Sequence, residues 1–483
     1  MKRNAHGGIG TLLIISAVLY GCATAPKVES GTKPAEVAAA APERTAESEP
    51  QPEPAWTSVA FGEALSLRMR ERDYEGALGL FDSMPPEEAS KWDIRVLKVS
   101  VQISAGKADE ARSGLAALEA ERPDDREVLY AGAMLATAAG DSKKRLDYLN
   151  RIIKAHPADS AALTDLGLDL MGRKNYSQAK SYFLKAMAAD QNNVDAMLAL
   201  SRVYYMTDDL EKAKDTLNLA ISKEPGYSSL WTERARVESE LGDNSAAIKD
   251  IERANELNPT VYGQWVDYGN YLLPTDRRNE AVAAFGKAIE LGPDQYLAYI
   301  YRAGLRDELG DSEGAISDYR NVIRVYPQYY YAAESLGILL WGKGDYEGSA
   351  QAFSTALQYN PKSSYYALMK TVAQYRSGRE AEAKAFMAKF LTTLDRNTTE
   401  YFLCRLFVDK SGDADVINRV MKEKNATIRS RYLFYTAVYF DLFANKAVAQ
   451  KYYVEVLTAQ NPAFFEYRLS KWALESFDGS AEG

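Results

Sequence analysis

The sequence predicts an all-α fold made of stacked pairs of helices, because three features recur in it with a period of 34 residues. Prolines recur with this period along the body of the chain. Small residues precede most of them by 12 positions, and large apolar residues precede them by eight. Such fixed phase is the signature of an array in which each unit packs only against its neighbours. The prolines are Pro123, Pro157, Pro225, Pro259, Pro293, Pro327 and Pro361, with Gln191 at the remaining place.

Each period divides into two helical runs separated by a short polar break. In residues 160–192, apolar residues recur at helical spacing, the stretch GRKN interrupts them, and a second helical run follows. Gly167 and Ala179 are small enough for the two helices to approach closely, and Phe183 fills the space between neighbouring units. The proline ends the second helix, because it has no N–H to donate. Such a pair cannot bury its apolar face alone, so the pairs must stack.

These features resemble the tetratricopeptide repeat, in which Trp, Leu, Gly, Tyr, Ala, Phe, Ala and Pro stand at fixed places. The unit that begins at Val194 matches this pattern with Leu200, Tyr204, Ala213, Leu217, Ala220 and Pro225. The resemblance implies an all-α, right-handed α-solenoid of about ten to twelve helix-turn-helix repeats. The predicted first residues of the regular repeats are Ser58, Trp92, Arg126, Ser160, Val194, Ser228, Tyr262, Tyr296, Tyr330 and Ser364.

The repeat pattern is regular over residues 57–397 and weakens after them. Residues 398–478 are predicted to form degenerate repeats and a terminal capping helix. The stretch KSGDADVIN replaces the usual turn between helices, and FFEYRLSKWALESF supplies the helix at the end. Such a helix would cover the apolar face that the last repeat leaves open.

The first residues have the order of a bacterial secretory signal. Lys2 and Arg3 precede an apolar run from Ile9 to Leu19, which is shorter than the roughly 20 residues of a membrane-spanning helix. The stretch LYGC resembles a lipobox, in which the chain is cut before the cysteine and the thiol is acylated. The resemblance implies a signal peptide at 1–21 and a lipid, such as palmitate, on Cys22. An ordinary signal peptide with an incidental cysteine, or an uncleaved anchor, is the alternative.

Residues 22–56 are predicted to form a disordered tether that begins at the lipidated Cys22. They are rich in Pro, Glu and Ala and have almost no large apolar side chains before Trp56, so they cannot bury enough surface to offset the entropy of ordering. A flexible tether of this length reaches roughly 30 Å. The resemblance, with Ala23 after the cysteine, implies a location in the bacterial cell envelope, at the periplasmic or the surface face of the outer membrane.

Charge and composition argue against nucleic-acid binding and against catalysis. The net charge is −9 and the pI is near 5.2, so the chain lacks the basic footprint of a nucleic-acid-binding protein. His156 is predicted to lie exposed where a helix ends, and Cys404 to be buried and inert. The sequence has no metal-spaced His/Cys cluster and no phosphate-binding loop. We therefore expect no enzyme activity, no catalytic residue, no metal and no cofactor.

The resemblance also implies where a partner would bind. In tetratricopeptide arrays, the second, fifth, ninth and twelfth residues of the first helix of each repeat face the concave groove, and we call these positions the groove stripe. Leu297 and Asp307 belong to it. An aromatic and aliphatic lining with Arg at one end suits an extended or helical peptide. Alternatively, these side chains pack against neighbouring repeats or a C-terminus that folds back. The candidate partner-binding residues are Arg202, Tyr205, Arg236, Asn270, Tyr331, Glu334, Ile338, Trp341, Tyr365, Leu368 and Tyr375.

The function predicted from these features is a membrane-anchored scaffold that binds a protein or peptide partner in its groove. The lipid bilayer is a second expected partner, which the chain contacts only through its acylated N-terminus. Two alternatives stay open: a surface-exposed adhesin that binds host cells or glycosaminoglycans, and a receptor for small solutes or peptides beside a transporter. An adhesin for sulfated glycans would need clustered Lys and Arg on this otherwise acidic chain.

Overall fold

The computed structural model describes residues 58–479 of the chain. Within this range every regular element is a helix, so the predicted all-α fold is confirmed. The predicted signal peptide 1–21, Cys22 and the predicted tether 22–56 lie outside the described residues. Contacts divide the chain into two compact units, with the boundary between Lys223 and Glu224.

Residues 58–223 of the N-terminal unit form five antiparallel helix pairs, and a short helix follows the first pair. We call the first helix of each pair helix A and the second helix B. The helices are α1 (Ser58–Arg70), α2 (Tyr74–Asp82), the short α3 (Pro86–Ala89), α4 (Trp92–Ser104), α5 (Ala108–Glu121), α6 (Arg126–Ala138), α7 (Ser142–Ala155), α8 (Ser160–Gly172), α9 (Tyr176–Ala189), α10 (Val194–Met206) and α11 (Leu210–Lys223).

The C-terminal unit consists of seven further helix pairs and one last helix. A 3-10 turn, Leu273–Thr275, extends one helix A. The helices are α12 (Ser228–Glu240), α13 (Asn244–Leu257), α14 (Tyr262–Leu272), α15 (Arg278–Leu291), α16 (Tyr296–Glu308), α17 (Ser312–Val325), α18 (Tyr330–Gly342), α19 (Tyr346–Tyr359), α20 (Ser364–Arg376), α21 (Glu380–Leu391), α22 (Thr399–Asp409), α23 (Asp413–Lys422), α24 (Ala426–Phe443), α25 (Lys446–Thr458) and α26 (Phe465–Gly479).

The helix bounds follow the repeat pattern of the sequence. Each repeat start predicted between Ser58 and Ser364 is the first residue of a helix A. From α5 to α19, each helix B ends two residues before the repeat's proline position. Helix α9 ends at Ala189 in the same way although Gln191 stands in the proline's place. A proline at this place is therefore not necessary to end the helix.

In every pair from α1/α2 to α22/α23, the turn between helix A and helix B contains a residue in the left-handed conformation. These residues recur every 34 positions from Arg72 to Gly412. Most are glycines, which adopt a positive φ without steric penalty. Lys174 and Asp276 adopt it at φ 60° and 59°, although this region disfavours L-residues with a Cβ. The turn thus keeps its phase into the degenerate part of the chain, and only the next helix A, α24, starts early.

Small residues on helix A make room for a large ring on helix B. A Cβ added to Gly167 would lie 2.5 Å from Cε1 of Phe183, and one added to Gly337 would lie 2.7 Å from Cε2 of Phe353. Both phenylalanine side chains are fully buried. The predicted close approach of the two helices is therefore present, and the ring that fills it also forms the core between repeats.

The end of the C-terminal unit has a single continuous core. Its buried side chains run from Ala333 to Leu469 and include the fully buried Tyr435 and Tyr453. Cys404 is buried in it, as predicted, and burial raises the pKa of its thiol. His156 is exposed at the end of α7, also as predicted. Among the helices of residues 58–479, none has the length and apolar character that crossing a membrane requires.

Candidate partner-binding groove

The early part of the groove stripe is polar and partly covered. Arg202 and Tyr205 on α10 are half-buried, as is Asn270 on α14. The guanidinium of Arg236 on α12 lies 2.9 Å from the Glu233 carboxylate and 3.7 Å from that of Asp267. The charge of Arg236 is thus already balanced within its own unit.

On α18 the groove stripe divides into an open half and a closed half. The Tyr331 side chain is 52% exposed, and Glu334 beside it is half-buried. Ile338 is only 7% exposed and belongs to the core. The Trp341 ring meets the Tyr346 ring edge-on, with centroids 5.1 Å apart. The prediction that Ile338 lines an open groove is therefore wrong, because the helices that follow pack over it.

On α20 the groove stripe faces the inside of the protein. Leu368 is 1% exposed. Tyr365 lies beneath the guanidinium of Arg431, 3.5 Å from the ring centroid, and the Tyr375 hydroxyl donates to the Phe407 carbonyl oxygen at 2.6 Å. The prediction that Leu368 lines an open groove is wrong, and Tyr375 is held inside the same packing. The physical reason is that α22 and α24 pack on this side of α20.

The terminal helix α26 folds back over the groove stripe of α16 and α18. The Arg468 guanidinium donates to both carboxylate oxygens of Asp307, at 2.6 and 2.7 Å. A Cβ on Gly342 would lie 2.6 Å from Cζ3 of Trp472, so the indole lies directly against the end of α18. The predicted capping helix exists, and it covers the groove stripe as well as the last repeat.

A cavity of about 300 Å³ remains open beside Tyr331. Its walls are the start of α18, the start of α20, the side of α24 and the segment that leads into α26. The lining side chains are mostly aromatic, and two of them carry charge. They are Tyr330, Tyr331, Glu334, Asn360, Ser363, Tyr365, Tyr366, Arg431, Ala463, Phe464 and Phe465.

The two charged side chains of this cavity have different surroundings. The Tyr366 hydroxyl donates to Oε2 of Glu334 at 2.5 Å, while burial raises the pKa of the Glu334 carboxyl. Arg431 donates from Nε to Oε1 of Glu466 at 2.9 Å. Glu466 is 1% exposed, and burial raises the pKa of its carboxyl as well. The charge of Arg431 is therefore matched by an ion pair behind the cavity wall. The Arg431 charge also attracts the Glu334 carboxylate, but Glu334 forms no ion pair with a described residue.

Arg431 and Glu466 did not emerge from the sequence as site residues. Both lie beyond the regular repeats, where the groove-stripe positions can no longer be counted. One signal was present: each is an ionisable residue within a strongly aromatic stretch, and such residues are almost always paired when buried. Their pairing across 35 positions could only be seen in the folded chain.

A row of tyrosines leads from the mouth of the cavity along the start of the helices. The Tyr330 and Tyr331 rings have centroids 4.4 Å apart, and Tyr329 lies 5.7 Å from Tyr331. Further along, Tyr296 stacks on Tyr326 at 4.4 Å. Exposed aromatic surface next to a cavity is typical of a site that binds another molecule. Within residues 58–479, no group of three or more His, Cys, Asp or Glu side chains is placed to hold a metal ion.

Comparison with known families identifies the repeats. Family models described as tetratricopeptide repeat match residues 170–237, 228–261, 305–367 and 334–394. The matches fall in both compact units and on helices whose bounds follow the period of 34 residues. Helix A and helix B of each match lie side by side, as the repeat requires.

Similar proteins share the repeats over part of their length. A TPR repeat-containing protein of Methanocaldococcus jannaschii is 21% identical over 221 residues, which are 45% of this chain and 35% of that protein. DnaJ protein P58IPK homolog A of rice, Oryza sativa, is 24% identical over 311 residues, 58% of this chain and 64% of its own. The chain thus spans less than two thirds of either relative. A solved tetratricopeptide repeat protein of Parabacteroides merdae is 22% identical, with a TM-score of 0.37, over 50% of this chain and 96% of that one.

Proposed function

Because this chain is a tetratricopeptide repeat protein, we propose that it is a lipid-anchored, non-enzymatic scaffold of the bacterial cell envelope. Its repeats indicate a protein–protein interaction scaffold, since stacked helix pairs form extended concave surfaces for binding. The partner is a protein or peptide that binds in the groove of the C-terminal unit, beside Tyr331 at the start of α18. No relative's activity or partner is needed for this assignment.

One observation carries the location of the partner site. Tyr331 combines a groove-stripe position, high exposure and a place at the mouth of an aromatic cavity. Tyr and Arg are the residues that most often supply binding energy at protein interfaces. Two other aromatic members of the groove stripe, Trp341 and Tyr375, pack against the chain's own residues, and Tyr331 is the exposed aromatic residue of the stripe on α18 and α20.

Site-specific crosslinking tests the partner site. A photoreactive p-benzoylphenylalanine replaces Tyr331 in the full-length protein, and the matched control carries it at Tyr359, an exposed tyrosine at the end of α19. We expect irradiation of cells to join one defined protein to position 331 and not to position 359. The Tyr331→Ala variant should lose the same partner in co-purification, whereas Tyr359→Ala should keep it. Equal adducts at both positions would contradict the proposed site.

The sequence at the start of the chain supports the lipid anchor. Leu19, Gly21 and Cys22 stand where a lipobox has its apolar, small and acylated residues. Labelling with a clickable palmitate analogue should mark the wild-type protein, and Cys22→Ala should abolish the label and release the protein from the membrane fraction. A labelled Cys22→Ala variant would exclude this anchor. Protease treatment of intact cells then assigns the face: digestion shows a surface location, which an adhesin requires, and protection shows the periplasm.

A further inference from the structure

We propose that the cavity beside Tyr331 recognises a cationic side chain, lysine or arginine, from the peptide that binds in the groove. The inference rests on the function proposed above and adds the chemistry of one anchor residue of the partner. It follows from the aromatic walls of the cavity, from the surroundings of the charged Glu334 and Arg431 side chains that line it, and from the net charge of the whole chain.

The Glu334 carboxylate supplies a negative charge that forms no ion pair with a described residue, although the Arg431 charge acts on it. Its Oε2 accepts from the Tyr366 hydroxyl at 2.5 Å. No described residue donates a hydrogen bond to its Oε1. This oxygen is also not one of the fully buried side-chain atoms that lack a partner. It is therefore exposed, and it is open to the cavity that Glu334 lines. An ammonium or guanidinium group at this place would form a charge-assisted hydrogen bond with Oε1.

The walls are suited to a cation because they are rich in aromatic rings. Tyr330, Tyr331, Tyr365 and Phe464 all line the cavity, and the faces of aromatic rings attract cations. The protein contains its own example of this contact: the Arg431 guanidinium lies 3.5 Å from the Tyr365 centroid and 4.8 Å from that of Phe464. The same aromatic wall therefore already holds one cation.

Arg431 does not turn the cavity into an anion site. Its guanidinium is paired with the buried Glu466 carboxylate at 2.9 Å. Because Arg431 and Glu466 form a pair, the site carries one net negative charge at a pH above the raised carboxyl pKa values, where Glu334 is ionised. An incoming carboxylate would meet Glu334 inside the cavity and Glu466 behind Arg431. The chain's net charge of −9 adds a long-range field that favours basic partners.

The rim favours a side chain that belongs to a peptide over a free cation. Asn360 and Ser363 lie at the cavity together with the rings. Their amide and hydroxyl groups can bond the main chain of a peptide on either side of the inserted residue. A cavity of about 300 Å³ has room for one long side chain and for little else.

The test uses small probes and the full-length protein in detergent, with ligand-observed NMR as the readout. The probes are Nα-acetyl-lysine methylamide, its neutral norleucine analogue, its glutamate analogue and n-butylammonium. We expect the lysine probe to bind more tightly than the other three, and Glu334→Gln to weaken it about tenfold, the loss of one charge-assisted hydrogen bond. The control Glu308→Gln removes an equal charge at an exposed position on α16 and should leave binding unchanged.

Several outcomes would overturn the inference. Equal affinity for the norleucine and lysine probes would show an apolar site, and tighter binding of the glutamate probe would show an anion site. Tighter binding of n-butylammonium would show a site for free cations, and failure of all probes would exclude a cation site of any kind. In each case an adduct at position 331 would still support the partner groove, whereas loss of that adduct as well would remove the proposed function. Glu334→Gln can still accept from the Tyr366 hydroxyl, and an unchanged melting temperature verifies its fold.

Discussion

The N-terminal unit and the end of the C-terminal unit use the same repeat but build different cores. In the N-terminal unit the buried side chains form separate clusters, one around Leu115 and Val128 and another around Leu129 and Leu149. At the end of the C-terminal unit one cluster continues from Ala333 to Leu469. A solenoid core is segmented because each repeat touches only its neighbours. A helix that returns over earlier repeats joins the segments and occupies the groove at the same time.

Removal of α26 should have the largest effect on this difference. A chain that ends at Pro462 loses the buried side chains of Phe465, Glu466 and Leu469 and leaves Arg431 without its partner. We expect the C-terminal repeats to lose on the order of 5 kcal/mol of unfolding free energy, from the burial of two large apolar side chains and one broken buried pair. Hydrogen exchange should rise in α18–α25 and stay unchanged in α4–α9. Unchanged hydrogen-exchange protection of α24 would show that α26 does not stabilise the helices on which it packs.

Replacing the buried phenylalanine between repeats with alanine should have the next largest effect on stability. Phe353→Ala and Phe183→Ala remove equivalent, fully buried side chains, and each should reduce the unfolding free energy by about 3–5 kcal/mol. The Phe353 ring lies 6.1 Å from the rings of both Tyr366 and Phe465, so its loss should also loosen α20 and α26. Hydrogen exchange of the two variants measures this spread. A strictly local effect of Phe353→Ala would contradict a joined core.

Replacing a tightly packed glycine with alanine should destabilise the contact between α18 and α19 by a smaller amount. Gly337→Ala places a Cβ 2.7 Å from the Phe353 ring, and such overpacking reduces the unfolding free energy by about 1–3 kcal/mol. Gly304→Ala is the matched control, since no atom lies within 4 Å of its added Cβ. It should stabilise helix α16 by about 0.5–1 kcal/mol. Urea unfolding of the two variants should give changes of opposite sign.

The ion pair that fastens α26 to α16 should contribute a smaller amount. Arg468 and Asp307 are 37% and 18% exposed, so water screens their attraction in part. We expect a coupling energy of about 1 kcal/mol or less in a double-mutant cycle of Arg468→Ala and Asp307→Ala. The coupling should shrink as salt is raised from 50 mM to 500 mM, by screening. A coupling energy of zero at low salt would show that apolar packing alone holds α26.

The smallest expected effect is a pH dependence that arises from Glu334. Burial raises the pKa of its carboxyl above the ordinary value of 4.5, so the folded state binds this proton more strongly than the unfolded state does. The resulting contribution to stability is complete below pH 4.5 and is lost as pH rises through the folded-state pKa. Relative to Glu334→Gln, the wild-type protein should therefore lose stability as the pH rises above 4.5. Parallel pH profiles of the two proteins would contradict the raised pKa.

Much of the fold could be predicted because the repeat pattern reflects contacts between residues that are close in the sequence. From α1 to α20, each helix A starts where the spacing of prolines, small residues and rings indicates. The turn residue keeps its phase even where Lys174 replaces glycine. The site was harder to predict. Tyr331 and Glu334 do line an open cavity, but Ile338 and Leu368 are buried, because counting positions on one helix does not reveal which other helix covers them.

The sequence by itself determined the helix pairs, their order and the positions at which they approach each other, because these depend on contacts between neighbours in the chain. Only the tertiary structure decided which part of the groove stripe stays open. Arg468 reaches Asp307 across 161 residues, and Arg431 pairs with Glu466 while its guanidinium lies on the Tyr365 ring. Such contacts depend on how the helices after the regular repeats pack against earlier ones, and the pattern of a single repeat does not encode that packing.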